Sequence, residues 1–122
     1  MSKGENKIVQ ILKANKISFK REVTFPYLNG KKKAPLRFDF AIFDAHKLVG
    51  LIEFDGRQHF EPIEFFGGIN GFIETVKRDK IKNTYCQTHN IPLLRLPYTL
   101  STTQIREKIY KYCESLTTAG CA

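Results

Sequence analysis

The amino-acid sequence predicts an α/β domain in which a four-stranded mixed sheet is flanked by helices. Three observations predict it: amphipathic helical patterns open and close the chain, three strand-like segments follow the first helix, and a long helix precedes a short apolar strand. The predicted order is αβββαβα. The 122 residues fit a single domain, 1–122, with a frayed tail at 117–122.

The first half of the chain contains one predicted helix and three predicted strands. Residues 3–16 carry an apolar stripe at helical spacing. Residues 17–28 alternate as a strand, with a slip at Lys20-Arg21 that a β-bulge would explain. The apolar segments 36–43 and 48–54 are separated by a short connection, so we predict an antiparallel hairpin.

In the second half, residues 61–71 are predicted to be a loop because they contain several glycines and a proline. Residues 71–89 form the second helix, and 93–96 form a short strand that returns parallel to the sheet. The second helix has one predicted buried face: Phe72, Ile73, Val76, Lys80, Ile81 and Tyr85. Polar residues fall on its other side: Arg78, Asp79 and Lys82.

Composition favours a polyanionic partner. Twenty basic residues against twelve acidic ones give a net charge of +8, which favours nucleic acid over a membrane surface. No window approaches ~18 consecutive apolar residues, so no membrane span is predicted. Three cysteines at no framework spacing fit a reducing compartment. We therefore expect a cytoplasmic, DNA-associated protein.

Acidic side chains lie inside two neighbouring predicted strands. Asp39 stands among aromatic residues, and Glu53 and Asp55 end the apolar segment that follows. Burying an unpaired carboxylate is costly, so acids at these positions predict a bound cation. Mg²⁺ prefers a few carboxylates together with several waters, and Mn²⁺ can substitute for it. Asp39 and Glu53 are the main predicted metal ligands, and Glu5 and Asp55 are further candidates.

The element order and these residues resemble the PD-(D/E)XK nuclease superfamily over nearly the whole chain. Pro35-Leu36-Arg37-Phe38-Asp39 stands where that family keeps its first metal aspartate, Glu53-Phe54-Asp55 stands at its D/E-x-K position, and Glu5 matches a helix-one glutamate. Two further motifs resemble a branch related to very-short-patch-repair (Vsr-like) endonucleases and EDxHD-type phage and intron homing endonucleases: Glu53-x-Asp55-Gly56-x-Gln58-His59 and Arg78-Asp79-x-x-Lys82. The resemblance implies a restriction-endonuclease-like core and metal-dependent cleavage of DNA.

The resemblance also implies roles for particular residues. His59 matches a histidine that serves the chemistry just past the third strand, and a histidine pKa near 6.5 suits a base. Asp55 stands where the family has lysine. Three explanations stay open: another cation, Lys82 or Lys80, replaces that lysine; His59 takes over as the base; or the catalytic centre is degenerate. The predicted catalytic set is Asp39, Glu53, His59, Asp55 and Lys82. Predicted DNA contacts are Lys31, Lys32, Lys33, Arg57, Gln58, Lys77, Arg78, Asp79 and Lys80, which would make binding salt-dependent.

Several of these residues also have ordinary structural explanations. Glu5 has capping-box spacing to Ser2, and Asp55 before glycine is a common turn signal. Cys86-x-x-His89 has zinc-ligand spacing, but no second tight pair accompanies it, so a structural zinc is disfavoured. A lone active site would nick DNA, whereas a homodimer would cut both strands. A non-catalytic nucleic-acid-binding module on the same fold is the alternative function.

Overall fold

The computed structural model describes residues 2–29 and 32–120, and within them the elements follow the predicted order. The elements are α1 (Lys3–Ala14), β1 (Ser18–Asn29), β2 (Lys32–Asp44), β3 (Lys47–Asp55), α2 (Gly68–Thr88), β4 (Leu93–Pro97) and α3 (Thr102–Gly120). Two 3₁₀ turns, Arg57–His59 and Glu64–Phe66, lie between β3 and α2. The predicted DNA contact Lys31 and the cysteine at position 121 lie outside the described residues.

The four strands form one mixed sheet in the order β1-β2-β3-β4. The first three are antiparallel neighbours, and β4 pairs parallel to β3. The predicted α/β class, the β2–β3 hairpin and the parallel return of β4 are therefore confirmed. Parallel pairing requires a crossover, and α2 supplies it.

The ends of several elements differ from the prediction. Gly67 adopts a left-handed conformation with φ of 89°, from which α2 begins at Gly68. Only glycine adopts this conformation at little cost, so the glycines that suggested a loop through residue 71 instead start a helix. The helix α3 continues to Gly120, beyond the predicted start of a frayed tail at residue 117.

Helices cover both faces of the sheet. The face toward α1 and α3 carries the larger buried cluster, which includes Phe40, Ile52 and Leu96. The face toward α2 carries a second cluster that includes Phe38 and Leu51. Among the described residues, no helix has both the length and the apolar character needed to cross a membrane.

The regular alternation of side chains between the two faces of the sheet is interrupted in β2 beside Asp39. Residues two apart in a regular strand share a face, yet Phe38 belongs to the α2-side cluster and Phe40 to the opposite one. Across the ribbon, Glu22 has φ of 51° and is left out of an otherwise continuous register. No residue is inserted, so the β-bulge predicted at Lys20-Arg21 is wrong, and the irregularity is instead a conformational change at Glu22.

The buried face of α2 also differs from the prediction. Lys82 is buried together with Cys86, whereas Ile73 and Lys80 are exposed. Asp79 and Lys82 turn inward because partners of opposite charge lie beneath them: Lys82 meets Glu53, and Asp79 meets His59 and Arg95. Apolar periodicity does not detect this charge pattern. The prediction that Lys82 falls on the outer side of α2 is therefore wrong.

The first turn of α1 packs against the end of β3. A side chain at Gly4 would collide with the ring of Phe54, so glycine permits this close approach. Ser2 and Glu5 form the predicted capping box, in which the Glu5 amide donates to Ser2 Oγ at 3.1 Å. The start of α1 is thereby fixed beside the strand that carries Glu53.

Candidate functional site

A cleft of about 750 Å³ lies between the first turn of α1, strands β2 and β3, and the inner side of α2. Many of the predicted site residues line it, although they come from separate parts of the chain: Glu5, Asp39, Glu53, Gln58, His59, Arg78, Asp79 and Lys82. The cleft also reaches the exposed turn at Phe66. Charged groups that converge on a concave surface are typical of an active or binding site.

Two buried carboxylates stand side by side on paired strands. The β2–β3 register pairs Phe40 with Ile52, and its continuation by one residue brings Asp39 opposite Glu53. Asp39 accepts hydrogen bonds from the Phe54 amide at 2.8 Å and from the Arg37 guanidinium at 2.9 Å. Arg37 is exposed, so its charge reaches Asp39 from the solvent side.

Lys82 completes this pair from α2. Its Nζ donates to Glu53 Oε1 at 2.9 Å and lies 5.4 Å from the centre of the Phe38 ring. Glu53 is 2% exposed and Lys82 is 4% exposed, so both charges are removed from water. Burial, together with the charge of Asp39, raises the pKa of Glu53 to about 7, although Lys82 opposes the rise. Lys82 thus pairs with Glu53, whereas Asp39 has Arg37 as its cationic partner.

The Asp39–Glu53 pair fits a divalent cation. Burial is the largest cause of the raised pKa of Glu53, and the neighbouring Asp39 carboxylate adds to it, so a cation beside the pair would stabilise the ionised form. The donor atoms are carboxylate oxygens, which suit Mg²⁺ and Mn²⁺ rather than a thiol-seeking metal. Asp39 and Glu53, the main ligands predicted from the sequence, are thus placed where they could hold such an ion, and their role as ligands stays a prediction.

A second cluster lies beyond the end of β3. His59 Nδ1 lies 2.8 Å from Asp79 Oδ2 and 3.6 Å from Asp55 Oδ1. Ligand atoms of these three residues lie within 4.8 Å of one another, so they also could hold a metal ion. Among the described residues, no other group of three such side chains meets this spacing.

Arg95 is the site residue that sequence reasoning missed. It donates to both carboxylate oxygens of Asp55 at 2.9 and 3.1 Å, to the Asp79 backbone carbonyl at 3.2 Å, and to Asn83 Oδ1 at 3.0 Å. The sequence feature that could have identified it is its position as a charged residue inside the otherwise apolar strand β4. Because Arg95 donates to both oxygens of Asp55, and Asp55 does not line the cleft, we interpret the second cluster as a hydrogen-bonded support rather than as the metal centre.

The charges of the second cluster stabilise one another. Burial lowers the pKa of His59, but its hydrogen bond to Asp79 and the nearby carboxylates outweigh burial, and the net pKa is raised above 6.5. Burial raises the pKa of Asp79, but His59 and Arg95 outweigh it, and the net pKa is lowered. Asp79 is therefore an ionised acceptor, and Nδ1 of His59 must carry the hydrogen of their bond. The pKa of Asp55 is raised by burial, against the effects of Arg95 and His59.

Glu5 lies at the rim of the cleft with other partners. Its carboxylate accepts from Ser2 Oγ at 3.0 Å and pairs with Arg21 at 3.3 Å. The structure thus brings Glu5 to the cleft but shows it in its structural role, as a capping residue. Asp55, in contrast, does not line the cleft, because it points toward Arg95 and His59.

The predicted DNA contacts fall into three groups. Arg78, Gln58 and Asp79 line the cleft. Arg57 pairs with Glu61 at 2.6 Å, and Lys77 pairs with Glu74 at 3.7 Å, both at the surface. Three further lysines are exposed: Lys32, Lys33 and Lys80.

Cys86 and His89, the pair with zinc-ligand spacing, contact the core and an aromatic ring. Cys86 is buried in the α2-side core, and the ring of His89 lies 4.2 Å from the ring of Tyr85. A Cys86 thiol in this position behaves as a small core side chain, and burial raises its pKa.

Comparison with known proteins identifies a family. A family described as "Protein of unknown function (DUF2726)" matches residues 7–112, and the chain belongs to this family. No curated protein and no solved structure matches the chain.

The Lys82–Glu53 pair predicts a pH-dependent loss of stability. Glu53 loses its proton near pH 4.5 when unfolded but near 7 when folded, so this group's contribution to stability falls as pH rises between those values. In Lys82→Met the folded pKa rises further, and the fall continues above pH 7. We expect a loss of about 3 kcal/mol at pH 8 and a smaller loss at pH 6, measured by urea unfolding in a chelator.

Lys80→Met is the matched control, because Lys80 is exposed on the same helix. Its stability should change little at either pH. An equal loss at pH 6 and pH 8 in Lys82→Met would mean that Lys82 supports the fold through packing alone.

Proposed function

We propose that the chain is a metal-dependent DNA endonuclease built on a restriction-endonuclease-like core. The observation that carries the proposal is the Asp39–Glu53 pair of buried carboxylates, which lines a solvent-accessible cleft together with Lys82. Buried carboxylates without enough positive charge are costly to the fold, and such strain commonly marks a functional site. The αβββαβα order and the mixed sheet support the fold assignment.

Asp39 and Glu53 would hold Mg²⁺ or Mn²⁺ in this proposal. When bound, the ion would supply charge neutralisation for the phosphate oxygens and the leaving oxygen. Arg37 and the Phe54 amide fix the Asp39 carboxylate, so its position is set before substrate arrives. Preorganised groups lose little free energy to rearrangement during the reaction.

Lys82 would replace the lysine that the resemblance leads one to expect at position 55. It approaches Glu53 from α2 rather than from β3, and its ammonium is buried in the cleft wall. A lysine in this position can orient the attacking water and offset charge on the phosphate. Its contact with Glu53 favours a catalytic centre over a degenerate one, and it favours Lys82 over the exposed Lys80.

His59 would act as the base, oriented by Asp79. Because Nδ1 of His59 donates to Asp79, the other ring nitrogen, Nε2, is left to accept a proton from water in the cleft. Asp55 lies beside His59 and Arg95 pairs with Asp79, and both contacts stabilise this arrangement. The pairing resembles the orientation of a catalytic histidine by a carboxylate in other hydrolytic sites.

The net charge of +8 and the arginines on the cleft wall support a nucleic-acid substrate. One observation favours the alternative, a non-catalytic binding module. Each buried acid already has a cationic partner, since Asp39 contacts Arg37, Glu53 contacts Lys82 and Asp55 contacts Arg95. Such a module would bind DNA in a salt-dependent manner and cleave nothing.

Plasmid cleavage tests the proposal directly. Supercoiled plasmid incubated with the protein and Mg²⁺ or Mn²⁺ should be nicked or linearised, and a chelator should abolish the reaction. Asp39→Asn and Glu53→Gln should each reduce the rate by roughly a hundredfold or more, because each removes a ligand charge. Lys108→Gln, at an exposed position on α3 outside the cleft lining, is the control and should stay active.

Binding of plasmid without cleavage in any divalent ion would support the binding module. Cleavage that persists at the wild-type rate in Asp39→Asn would contradict the assigned centre. The ratio of nicked to linear product reports whether one active site or a homodimer acts.

The pH dependence of cleavage tests the role of His59. A base must be neutral, so the rate should rise with pH through the folded pKa of His59, which lies above 6.5. Asp79→Asn removes the carboxylate charge that helps to raise this pKa, so the rise in rate should shift to lower pH. The single-turnover rate between pH 5.5 and 8.5 measures both. A rate that falls with pH over this range would assign His59 as the acid instead.

A further inference from the structure

Aromatic side chains project into solvent beside the cleft. Phe65 is 89% exposed, and Phe60 and Phe66 are each 51% exposed. Phe66 also lines the cleft together with His59. Exposed aromatic rings forgo a large gain from burial, and groups of them commonly mark a binding surface. Phe65 and Phe66, at the end of the Glu64–Phe66 turn, are called the aromatic turn below.

The aromatic turn is held in a defined conformation. Backbone hydrogen bonds of 2.9 Å join the amides of Phe66 and Gly68 to the carbonyl of Ile63. A side chain at Gly71 would collide with the Phe66 carbonyl, so this glycine lets the turn lie tightly against α2. A backbone held in this way loses little conformational freedom when the turn binds a partner.

The rings present an open surface to a planar partner. Phe65 and Phe66 meet edge to face, with centroids 5.2 Å apart and an interplanar angle of 86°. Their contact stabilises the ring orientations relative to each other. Because Phe65 is almost wholly exposed, its ring face stays accessible to a planar group.

Charge indicates which partner fits. The cleft beside the aromatic turn is lined by Arg37, Arg78 and Lys82, in a protein of net charge +8. A nucleic-acid strand can satisfy both features at once, with phosphates near the cations and a base on the ring. In a duplex the faces of each base are covered by neighbouring bases. An exposed ring therefore stacks most readily on an unpaired base.

We propose that the aromatic turn stacks an unpaired base adjacent to the scissile phosphate, so that the protein selects DNA with single-stranded segments over uninterrupted duplex. This role rests on the proposed function, because it names the substrate class of the same cleft. Stacking itself is a binding property and is measured without a divalent ion, which keeps the two questions separate.

Fluorescence anisotropy in a chelator tests the stacking. A labelled single-stranded oligonucleotide and a blunt duplex of the same sequence are titrated with wild type and variants. Phe65→Ala should weaken single-strand binding by about fivefold or more, at the lower end of what one stacked base contributes, and leave duplex binding unchanged. Phe65→Leu should behave like alanine, because it keeps apolar bulk but lacks the ring face.

Two further variants act as controls. Tyr110→Ala removes another exposed aromatic ring, 63% exposed on α3 and not part of the cleft lining, and should bind like wild type. Phe65→Trp should retain single-strand binding. The chain has no tryptophan, so this variant carries a single reporter whose fluorescence should be quenched by a stacked base.

Unchanged single-strand affinity in Phe65→Ala overturns the proposal. So does a Phe65→Ala variant whose only change, in analytical ultracentrifugation, is loss of self-association, which would make the patch an interface between copies of this chain. If Asp39→Asn abolishes cleavage while Phe65→Ala keeps the wild-type substrate preference, the stacking role fails and the nuclease stands. In the opposite case, wild type shows no cleavage of any DNA, yet a single strand quenches the tryptophan fluorescence of the Phe65→Trp variant. The stacking role then stands and the nuclease proposal fails.

Discussion

The burial of Glu53 between Asp39 and Lys82 is the constraint on which the rest of the site depends. Glu53 and Lys82 are almost wholly buried at the wall of the cleft, and burial together with the charge of Asp39 raises the pKa of Glu53 although Lys82 opposes the rise. Such an arrangement persists only when the surrounding structure holds it in place. The surrounding structure does so from three sides, through the sheet, the first turn of α1 and the inner face of α2.

The backbone around this pair is adapted to it. The β1–β2 ribbon changes face at Asp39 and Glu22, which brings an aspartate between two aromatic residues into the cleft rather than into either core. Beyond the end of β3, Arg95 joins Asp55 on β3 to the backbone of Asp79 on α2. The two clusters are thus built on the same strand, with Glu53 in one and Asp55 in the other.

Much of the fold could be predicted from the sequence, because its strands and helices carry clear apolar periods. The pairing that brings Asp39 beside Glu53 followed from the hairpin alone. The inward orientation of Lys82 did not, since a lysine at a buried helix position depends on a carboxylate from a distant strand. Arg95 was missed for the same reason, because its partners lie on β3 and α2, elsewhere in the chain. The exposure of Phe65 could be known only once the turn was folded.

We therefore propose that the Asp39–Glu53 pair, and not the Asp55–His59–Asp79 cluster, holds the divalent ion. The most direct test is the anomalous scattering of manganese in crystals soaked with Mn²⁺. We expect one strong anomalous peak within ligand distance of both Asp39 and Glu53, and no such peak in Asp39→Asn crystals. A peak confined to Asp55, His59 and Asp79, or no peak at all in crystals soaked at saturating Mn²⁺, would contradict it.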